Sequence, residues 1–208
     1  MEFLSVQKQA QDEERKKKSL LREYIEAAIL AIFLAFFIRT FVVQAFKIPS
    51  SSMEPTLLVG DHILVNKFIY GIKIPFTDKS IFPISSPKRE DVVVFIYPID
   101  PDKDFIKRVI GVPGDTIEIK DQRIYINGSL YSDTYGVYSD LRPASSESQS
   151  NTTIINVPAD QLFVMGDNRD HSYDSRFWGF VPIQSLKGKA FIVYWSWPNW
   201  QRFFHWIN

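Results

Sequence analysis

The chain of 208 residues contains no cysteine, and this absence excludes both a disulfide framework and catalysis by a thiol. Histidine is almost as scarce, and His62, His171 and His205 never pair at the spacing of a helical metal motif. The net charge at pH 7 is zero, from 24 basic and 24 acidic residues, so no overall field favours nucleic acid. We therefore expect neither a nucleic-acid partner nor a short metal-binding motif.

Long apolar runs are also scarce, and the one run of note lies near the amino terminus. It extends from Leu20 to Ile38 and follows a polar segment that ends in a basic cluster, Arg15-Lys16-Lys17-Lys18. A membrane span needs about 20 residues, and basic clusters stay on the cytoplasmic side. The pattern predicts a cytoplasmic segment over residues 1–19 and a single transmembrane anchor helix over residues 20–40.

Charges within this run keep two other interpretations open. Arg22, Glu23 and Glu26 leave only residues 27–38 uncharged, a length that a buried helix of a soluble domain would also have. A cleavable signal peptide is the second alternative, because Val43-Gln44-Ala45 is loosely similar to a cleavage site. Arg39 separates the apolar run from that site, which favours an uncleaved anchor.

After Arg39 the pattern becomes that of short strands, in which Val, Ile, Phe and Tyr alternate with turn residues. We predict a β domain over residues 41–208, mostly antiparallel and in sandwich or barrel form, with a small variable insertion at about residues 121–152. Serine-rich residues 144–151 are predicted to form a loop, and a short helix is possible at Pro182–Leu186. The predicted strands are Thr40–Lys47, His62–Lys67, Asp91–Tyr97, Phe105–Val112, Thr116–Lys120, Arg123–Ile126, Thr153–Val157, Gln161–Met165 and Lys189–Trp195.

Tryptophan is concentrated at the carboxyl terminus, where four of the five residues fall within the last fourteen positions: Trp195, Trp197, Trp200 and Trp206. Tryptophan is favoured where one edge of its ring is apolar and the other is wet, as in a lipid headgroup layer. Packing at a strand end explains the same cluster, so contact with lipid and contact with protein both remain open.

Three blocks carry the functional signal, and together they are similar to type I signal peptidases, the Ser-Lys proteases that release secreted proteins from the membrane. The first block is Pro49-Ser50-Ser51-Ser52-Met53-Glu54-Pro55-Thr56, the second centres on Lys107-Arg108, and the third is Gly166-Asp167-Asn168-Arg169-Asp170-His171-Ser172-Tyr173-Asp174-Ser175-Arg176. The resemblance covers about residues 41–181. Two positions depart from the usual pattern: Ser51 replaces a common glycine, and His171 replaces a frequent asparagine.

Catalysis by a serine–lysine pair requires a lysine that is shielded from water. A serine hydroxyl needs a base within hydrogen-bond reach, and lysine is a base only when neutral, as roughly one in two thousand is at pH 7 with a pKa of about 10.4. Burial lowers that pKa. The apolar neighbours Phe105, Ile106 and Val109 predict such burial for Lys107.

The resemblance implies a role for each matching residue. Ser52 is the nucleophile and Lys107 the general base, while Ser50 and the Ser52 backbone N–H form the oxyanion hole. Ser172 orients the lysine, and structural support comes from Arg108, Asp167, Asp174 and Arg176, with Asp167 pairing Arg108 and Asp174 pairing Arg176. A shallow apolar pocket for small side chains is expected from Ile48, Met53, Leu57, Phe105 and Ile106.

The resemblance also implies partners and a location. The substrates are pre-proteins that carry signal peptides, and the second partner is the lipid bilayer. The chain is expected to be a monomer in the bacterial cytoplasmic membrane, with its catalytic domain on the outer face, and to need no cofactor or metal. The spacing of Asp170, Ser172 and Asp174 begins like a calcium loop, but Ser175 and Val181 stand where that pattern needs glycine and glutamate.

Three rival functions stay open. Self-cleaving repressors and mutagenesis proteins use the same Ser-Lys pair without an anchor. A Ser-His-Asp triad through His171 is a second possibility, and it predicts a pH-rate limb near 6–7 instead of 8–9. A membrane-tethered β module without catalysis is the third, and its activity would survive a Ser52→Ala change.

Overall fold

The computed structural model describes residues 2–73, 80–81, 84–139 and 153–207 of the chain. Its residues divide into two compact units, Met1–Val42 and Val43–Asn208. The second unit carries the three sequence blocks described above.

The first unit is helical. Helix α1 covers Glu2–Phe37 and continues into a π-helical turn at Ile38–Val42. Its sequence contains neither glycine nor proline and is rich in Ala, Leu, Glu and Lys, which favour helix. The Arg22 guanidinium donates to Glu26 across one helical turn, at 2.8 Å.

The predicted anchor is not supported by the helix as it stands. Among the helices of the described residues, none combines the length and the apolar character needed to cross a membrane. The charges of Arg22, Glu23 and Glu26 confine the uncharged part of α1 to residues 27–37. Residues 2–19, predicted only as a polar segment, belong to the same helix.

The second unit confirms the prediction of a mostly antiparallel β fold. Every pairing between its named strands is antiparallel. The strands are β1 (Val43–Lys47), β2 (His62–Asn66), β3 (Ile72–Lys73), β4 (Ser80–Ile81), β5 (Val92–Ile96), β6 (Asp104–Gly111), β7 (Thr116–Lys120), β8 (Arg123–Ile126), β9 (Ser129–Leu130), β10 (Thr153–Asn156), β11 (Gln161–Met165), β12 (Val181–Pro182), β13 (Leu186–Trp195) and β14 (His205–Trp206).

The largest sheet places the second and third sequence blocks side by side. Its strand order is β1-β2-β13-β5-β6-β11-β12, with β14 added to β13. Strand β6 lies between β5 and β11, so that Lys107 is opposite Val93 and Arg108 is opposite Met165. The third block follows directly after Met165, the last residue of β11.

The described part of the predicted insertion contains two strands and an irregular segment. Strands β8 and β9 belong to a second sheet of order β10-β7-β8-β9, and Asn127-Gly128 forms the turn between them, with φ of 53° and 78°. Residues 131–139 are irregular but make a parallel bridge from Val137 to Asn168. The predicted serine-rich loop at residues 144–151 lies outside the described residues.

Two short helical elements complete this unit. Helix α2 covers Ser175–Trp178 and is capped by Asp174, whose carboxylate accepts from the Arg176 backbone N–H. The helix predicted near Pro182–Leu186 is a single 3₁₀ turn, Ile183–Ser185. The core consists of three apolar clusters built mostly from strand residues, and the first also contains Ile48, Met53 and Leu57, in and next to the serine block.

Candidate active site

Ser52 lies on a 3₁₀ turn, Ser51–Met53, that follows β1. The turn is held on one side by Met53, which is completely buried in the core. On the other side Asn168 donates from its backbone N–H to the Ser52 carbonyl at 3.1 Å, and from Nδ2 to the Ser51 carbonyl at 3.3 Å. The serine is therefore fixed between the core and the third sequence block.

Lys107 reaches this serine from β6. Its Nζ lies 2.7 Å from Ser52 Oγ and 3.0 Å from the Ile106 carbonyl oxygen. Lys107 is only 4% exposed and also lies over the Phe105 ring, 5.5 Å from its centroid. A buried amine in contact with a hydroxyl is the arrangement that proton transfer between them requires.

Burial lowers the pKa of Lys107 from its ordinary value of 10.5 to about 8. The loss of hydration is the main cause, because a charged amine is less stable away from water. The negative charges of Asp174 and Asp167 act in the opposite direction and limit the decrease. With a pKa of about 8, roughly one amine in ten is neutral at pH 7.

Ser50, predicted for the oxyanion hole, lies beside the nucleophile. Its Oγ is 3.5 Å from Ser52 Oγ, at the outer limit of a hydrogen bond, and the residue is exposed. The hydroxyl is close enough to contribute to a site around Ser52 and is free to rotate toward a bound group.

Ser172 is close to the pair, but its predicted bond to the lysine is not made in this structure. Its Oγ is buried and has no hydrogen-bond partner among the described residues. Gly166 separates it from the Ser52 carbonyl, and a Cβ added at Gly166 would overlap both Ser172 Oγ and that carbonyl oxygen. Glycine at position 166 therefore allows the third block to approach the serine turn closely.

The four residues predicted to give structural support form two ion pairs. The Arg108 guanidinium donates to both carboxylate oxygens of Asp167, at 2.9 and 2.8 Å, and both side chains are fully buried. Arg176 donates to Asp174 at 2.8 and 2.9 Å. Asp174 also accepts from the Gly166 backbone N–H at 3.0 Å, which fixes the start of the third block.

The residues predicted to line a shallow pocket separate into two groups. Ile48, Met53 and Leu57 are at most 2% exposed, so they belong to the core and do not line an open surface in this structure. Phe105 and Ile106 are partly exposed beside Lys107. The Phe105 ring stacks on Tyr97 with a centroid separation of 4.3 Å.

The histidine of the rival triad is placed differently from the lysine. His171 is exposed, and its backbone N–H donates to the Asn168 carbonyl. The acidic residues around it are engaged elsewhere: Asp170 accepts from Ser139 and Asp174 from Arg176. In the described ranges no group of three or more acidic, histidine or cysteine side chains is arranged to hold a metal ion.

The carboxyl-terminal tryptophans contact one another and neighbouring aromatic rings. Trp200 lies at an edge-to-face angle to Trp197, at 4.9 Å, and stacks on Phe203 at 5.2 Å. Trp195 lies edge to face against Phe203 at 4.9 Å, and Trp206 tilts against Phe191. The four tryptophans remain more than 40% exposed, so packing at the end of β13 accounts for only part of their surface.

Sequence reasoning missed several residues around the pair. Asn168 stands in the third block, where the resemblance gives it no role, although it binds the serine turn directly. Asp133 and Tyr135 were assigned to a variable insertion, yet Asp133 pairs with Arg169 and the Tyr135 ring lies 3.6 Å from Arg108 Cζ. An acidic and an aromatic residue in a polar loop were the only available signal.

Comparison with known proteins gives a consistent result. The sequence profile of the family described as signal peptidase, peptidase S26, matches residues 21–195. The signal peptidase I of Pseudomonas aeruginosa is 40% identical, over 90% of this chain and 77% of that protein, and the signal peptidase I of Pseudomonas fluorescens is 41% identical with the same coverage. A crystal structure of a signal peptidase I from Enterococcus faecalis V583 aligns at 34% identity with a TM-score of 0.41, over 50% of this chain and 97% of that one.

Proposed function

The chain belongs to the signal peptidase family, peptidase S26, and we propose that it removes amino-terminal signal peptides from exported pre-proteins. In this proposal Ser52 is the nucleophile of a serine endopeptidase and Lys107, in its neutral form, is the general base. The observation that carries the proposal is the 2.7 Å contact between Lys107 Nζ and Ser52 Oγ, made by an amine that is 4% exposed.

The proposed reaction begins with proton transfer from Ser52 Oγ to the neutral Lys107 amine. The oxygen attacks the scissile carbonyl, and the Ser50 hydroxyl and the Ser52 backbone N–H donate to the oxyanion, each such donor typically contributing about 3–4 kcal/mol to barrier lowering. The Lys107 ammonium then gives its proton to the leaving amine, and an acyl-enzyme remains on Ser52. Water, deprotonated by Lys107, hydrolyses the ester and frees the serine.

The supporting residues keep this pair in place without touching the reacting atoms. The Arg108–Asp167 pair joins β6 to the third block, and Asn168 joins that block to the serine turn. We assign Ser172 the role of orienting the lysine, because its buried hydroxyl lies beside Gly166 at the edge of the site and has no hydrogen-bond partner in the part of the chain that the structure describes. A rotation of the Ser172 or Lys107 side chain would be needed to make that contact.

The substrate groove is proposed to include the partly exposed Phe105 and Ile106, next to Lys107. Small side chains before the scissile bond would fit a shallow site beside these two residues, while the buried Ile48, Met53 and Leu57 would support it from the core. The chemistry assigned to Ser52 and Lys107 uses no metal or cofactor.

Attachment to the bacterial cytoplasmic membrane is a separate part of the proposal. Residues 20–40 would anchor a monomer, with residues 1–19 on the cytoplasmic side and residues 41–208 on the outer face. Large apolar side chains on α1 that are more than 60% exposed support contact with lipid, including Ile29, Leu30 and Ile32. The basic cluster at residues 15–18 supports the orientation.

The test is cleavage of a pre-protein by the full chain in detergent. Product that begins at the mature amino terminus, identified by mass spectrometry, is the expected result for the wild type. Ser52→Ala and Lys107→Ala should each lose several orders of magnitude in rate while keeping the far-ultraviolet circular dichroism of the wild type. Retention of most activity by Lys107→Ala would show that another base acts, and a chelator should change little.

A further inference from the structure

A short segment outside the three blocks binds the back of the third block. We call residues 131–139 the brace. Its Val137 backbone N–H donates to the Asp167 carbonyl at 2.8 Å, and the Val137 carbonyl accepts from the Arg169 backbone N–H at 2.9 Å. These two bonds form a parallel bridge on either side of Asn168. The brace thus pairs with one side of Asn168, and the other side of Asn168 binds the serine turn.

Two side chains of the brace fasten it to buried arginines. Asp133 accepts from both terminal nitrogens of the Arg169 guanidinium, and Arg169 is itself buried and donates from Nε to the Gly166 carbonyl. The Asp133 carboxylate also accepts from the Gly136 backbone N–H at 3.0 Å, which shapes the turn of the brace. Arg169 therefore connects Asp133 to Gly166, which lies close to the Ser52 carbonyl.

The second fastening is aromatic. The Tyr135 ring covers the Arg108 guanidinium at 3.6 Å, on the same side chain that pairs with Asp167. A cation over an aromatic face is stabilised by the ring quadrupole, and the ring also excludes water from the ion pair. Tyr135 thus completes the burial of an arginine that neighbours Lys107 on β6.

These contacts place the third block between two surfaces. On one side, Asn168 donates to the carbonyls of Ser51 and Ser52; on the other, Asp167 and Arg169 bind Val137. The serine turn has no covalent link to the block, so the position of Ser52 relative to Lys107 depends on where Asn168 lies. A displacement of about 1 Å between reacting groups is enough to lower a rate about 100-fold.

We propose that the brace is a positioning element for catalysis, in which Asp133 and Tyr135 hold the third block against the serine turn. The inference rests on the proposed function, because it takes Ser52 and Lys107 as the reacting groups. Neither Asp133 nor Tyr135 touches Ser52 or Lys107, so both act through Arg169, Arg108 and Asn168.

The experiment compares four variants of the full chain in the pre-protein assay: Asp133→Asn, Tyr135→Leu, Tyr135→Phe and Thr134→Ala. Thr134 is an exposed residue between the two fastenings and serves as the matched control. We expect Asp133→Asn and Tyr135→Leu to lower kcat at least tenfold with KM within twofold. Their partners are Arg169 and Arg108, not Phe105 or Ile106 of the proposed substrate groove. Tyr135→Phe, which keeps the ring, should retain most of kcat, and Thr134→Ala should match the wild type.

Thermal unfolding of each variant separates positioning from a purely structural role. Assays are run at least 10 °C below the lowest Tm, so a merely less stable protein would still show the wild-type kcat. Wild-type kcat in both Asp133→Asn and Tyr135→Leu, or an equal loss in Thr134→Ala, would overturn the inference. If these two variants do not fold, Asp133→Glu, which keeps the charge and lengthens the side chain by one methylene, takes their place with the same criteria.

Failure of the proposed function looks different. If the wild type does not cleave the pre-protein, or if Ser52→Ala cleaves it as fast as the wild type, the assignment of the reaction is wrong whatever the brace does. If the wild type cleaves, Ser52→Ala does not, and the brace variants keep full kcat, only the inference about the brace is wrong.

Discussion

Lys107 and Arg108 are adjacent on β6 and both are buried, but their side chains have different kinds of partner. Arg108 is fully buried and bonded to both oxygens of Asp167, with the Tyr135 ring over its guanidinium. Lys107 is 4% exposed, and within the described residues no carboxylate lies at ion-pair distance from it; its contacts are a hydroxyl and a carbonyl. One cation is bonded to an anion, whereas the other is bonded only to neutral groups and is influenced by Asp167 and Asp174 at longer range.

The difference follows from the alternation of a strand. Consecutive side chains point to opposite faces, so Arg108 meets the carboxylates of the third block while Lys107 meets the serine turn and Phe105. A buried cation bonded to an anion is retained as a charge, whereas burial lowers the pKa of a lysine that is bonded only to neutral groups. One strand therefore carries both a structural charge and a reactive amine at adjacent positions.

The sharpest way to test this contrast is to remove the amine. Lys107→Met should lower kcat at least about 10³-fold, since the proposed base is lost, while the folded state becomes more stable at pH 7. A pKa of about 8 in place of 10.5 means that burying the protonated amine costs about 3 kcal/mol at pH 7. Methionine removes that cost, and urea unfolding with circular dichroism measures the gain.

The pH dependence of that gain checks its cause. Between about pH 8 and 10.5 the unfolded chain binds more protons at Lys107 than the folded chain does, so wild-type stability rises with pH in this window. The advantage of Lys107→Met should therefore shrink as the pH approaches 10.5. A gain independent of pH would show that packing, and not the buried charge, is responsible.

Removing the carboxylate that pairs with Arg108 should lower the stability of the protein, the opposite of the effect expected for Lys107→Met. Asp167→Asn leaves the Arg108 charge buried without its bidentate partner, and we expect a loss of about 3–5 kcal/mol in unfolding free energy. Asp100→Asn, which breaks an exposed pair with Lys103, is the control and should change the unfolding free energy far less, since solvent screens exposed pairs. Equal losses in the two variants would contradict the contrast between buried and exposed pairs.

The pH-rate profile reports the amine in the intact protein. Well below a pKa of about 8 the neutral fraction of Lys107 falls tenfold per pH unit, so kcat should decrease by about 50-fold between pH 8 and 6 and level off above pH 9. Single-turnover cleavage from pH 5.5 to 10 provides the measurement. A profile that is flat above pH 7, with its limb near 6–7, would instead indicate a histidine base.

The smallest expected effect concerns His171. Its exposed position, with only a backbone bond to Asn168, predicts that His171→Ala changes kcat by less than about threefold. Steady-state assays alongside Lys107→Met provide the comparison. A loss comparable with that of Lys107→Met would favour the histidine triad over the lysine.

Much of the fold could be predicted from local pattern. Strands β7, β8 and β11 begin and end at the predicted residues, because alternating apolar residues and an Asn-Gly turn define β7 and β8, and a short apolar run defines β11. Strand β13 begins three residues earlier than predicted, at Leu186, where Gly188 interrupts the alternation. The strand order is set by long-range pairing of β13 with β2 and β5, which no local pattern contains.

For the candidate site, residue identity was more predictable than environment. The blocks place Ser52 and Lys107 in the sequence, but their separation depends on the register of β6 and on the serine turn. The sequence could not separate core residues from groove residues, since Met53 and Leu57 have the same apolar character whether buried or lining a groove, and the substrate pocket stays a prediction. Asp133 and Tyr135 could not be identified because their partners, Arg169 and Arg108, lie more than 25 residues away in sequence.

Gly166 limits how closely the third block can pack against the serine turn. Two stretches of chain and one hydroxyl converge on it so closely that the addition of one methyl group would collide with both sides. Surface loops can shift into solvent without moving the site. A larger residue at position 166 would instead push Ser52 Oγ away from Lys107 Nζ. The absence of a side chain at position 166 therefore sets the spacing on which the proposed reaction depends.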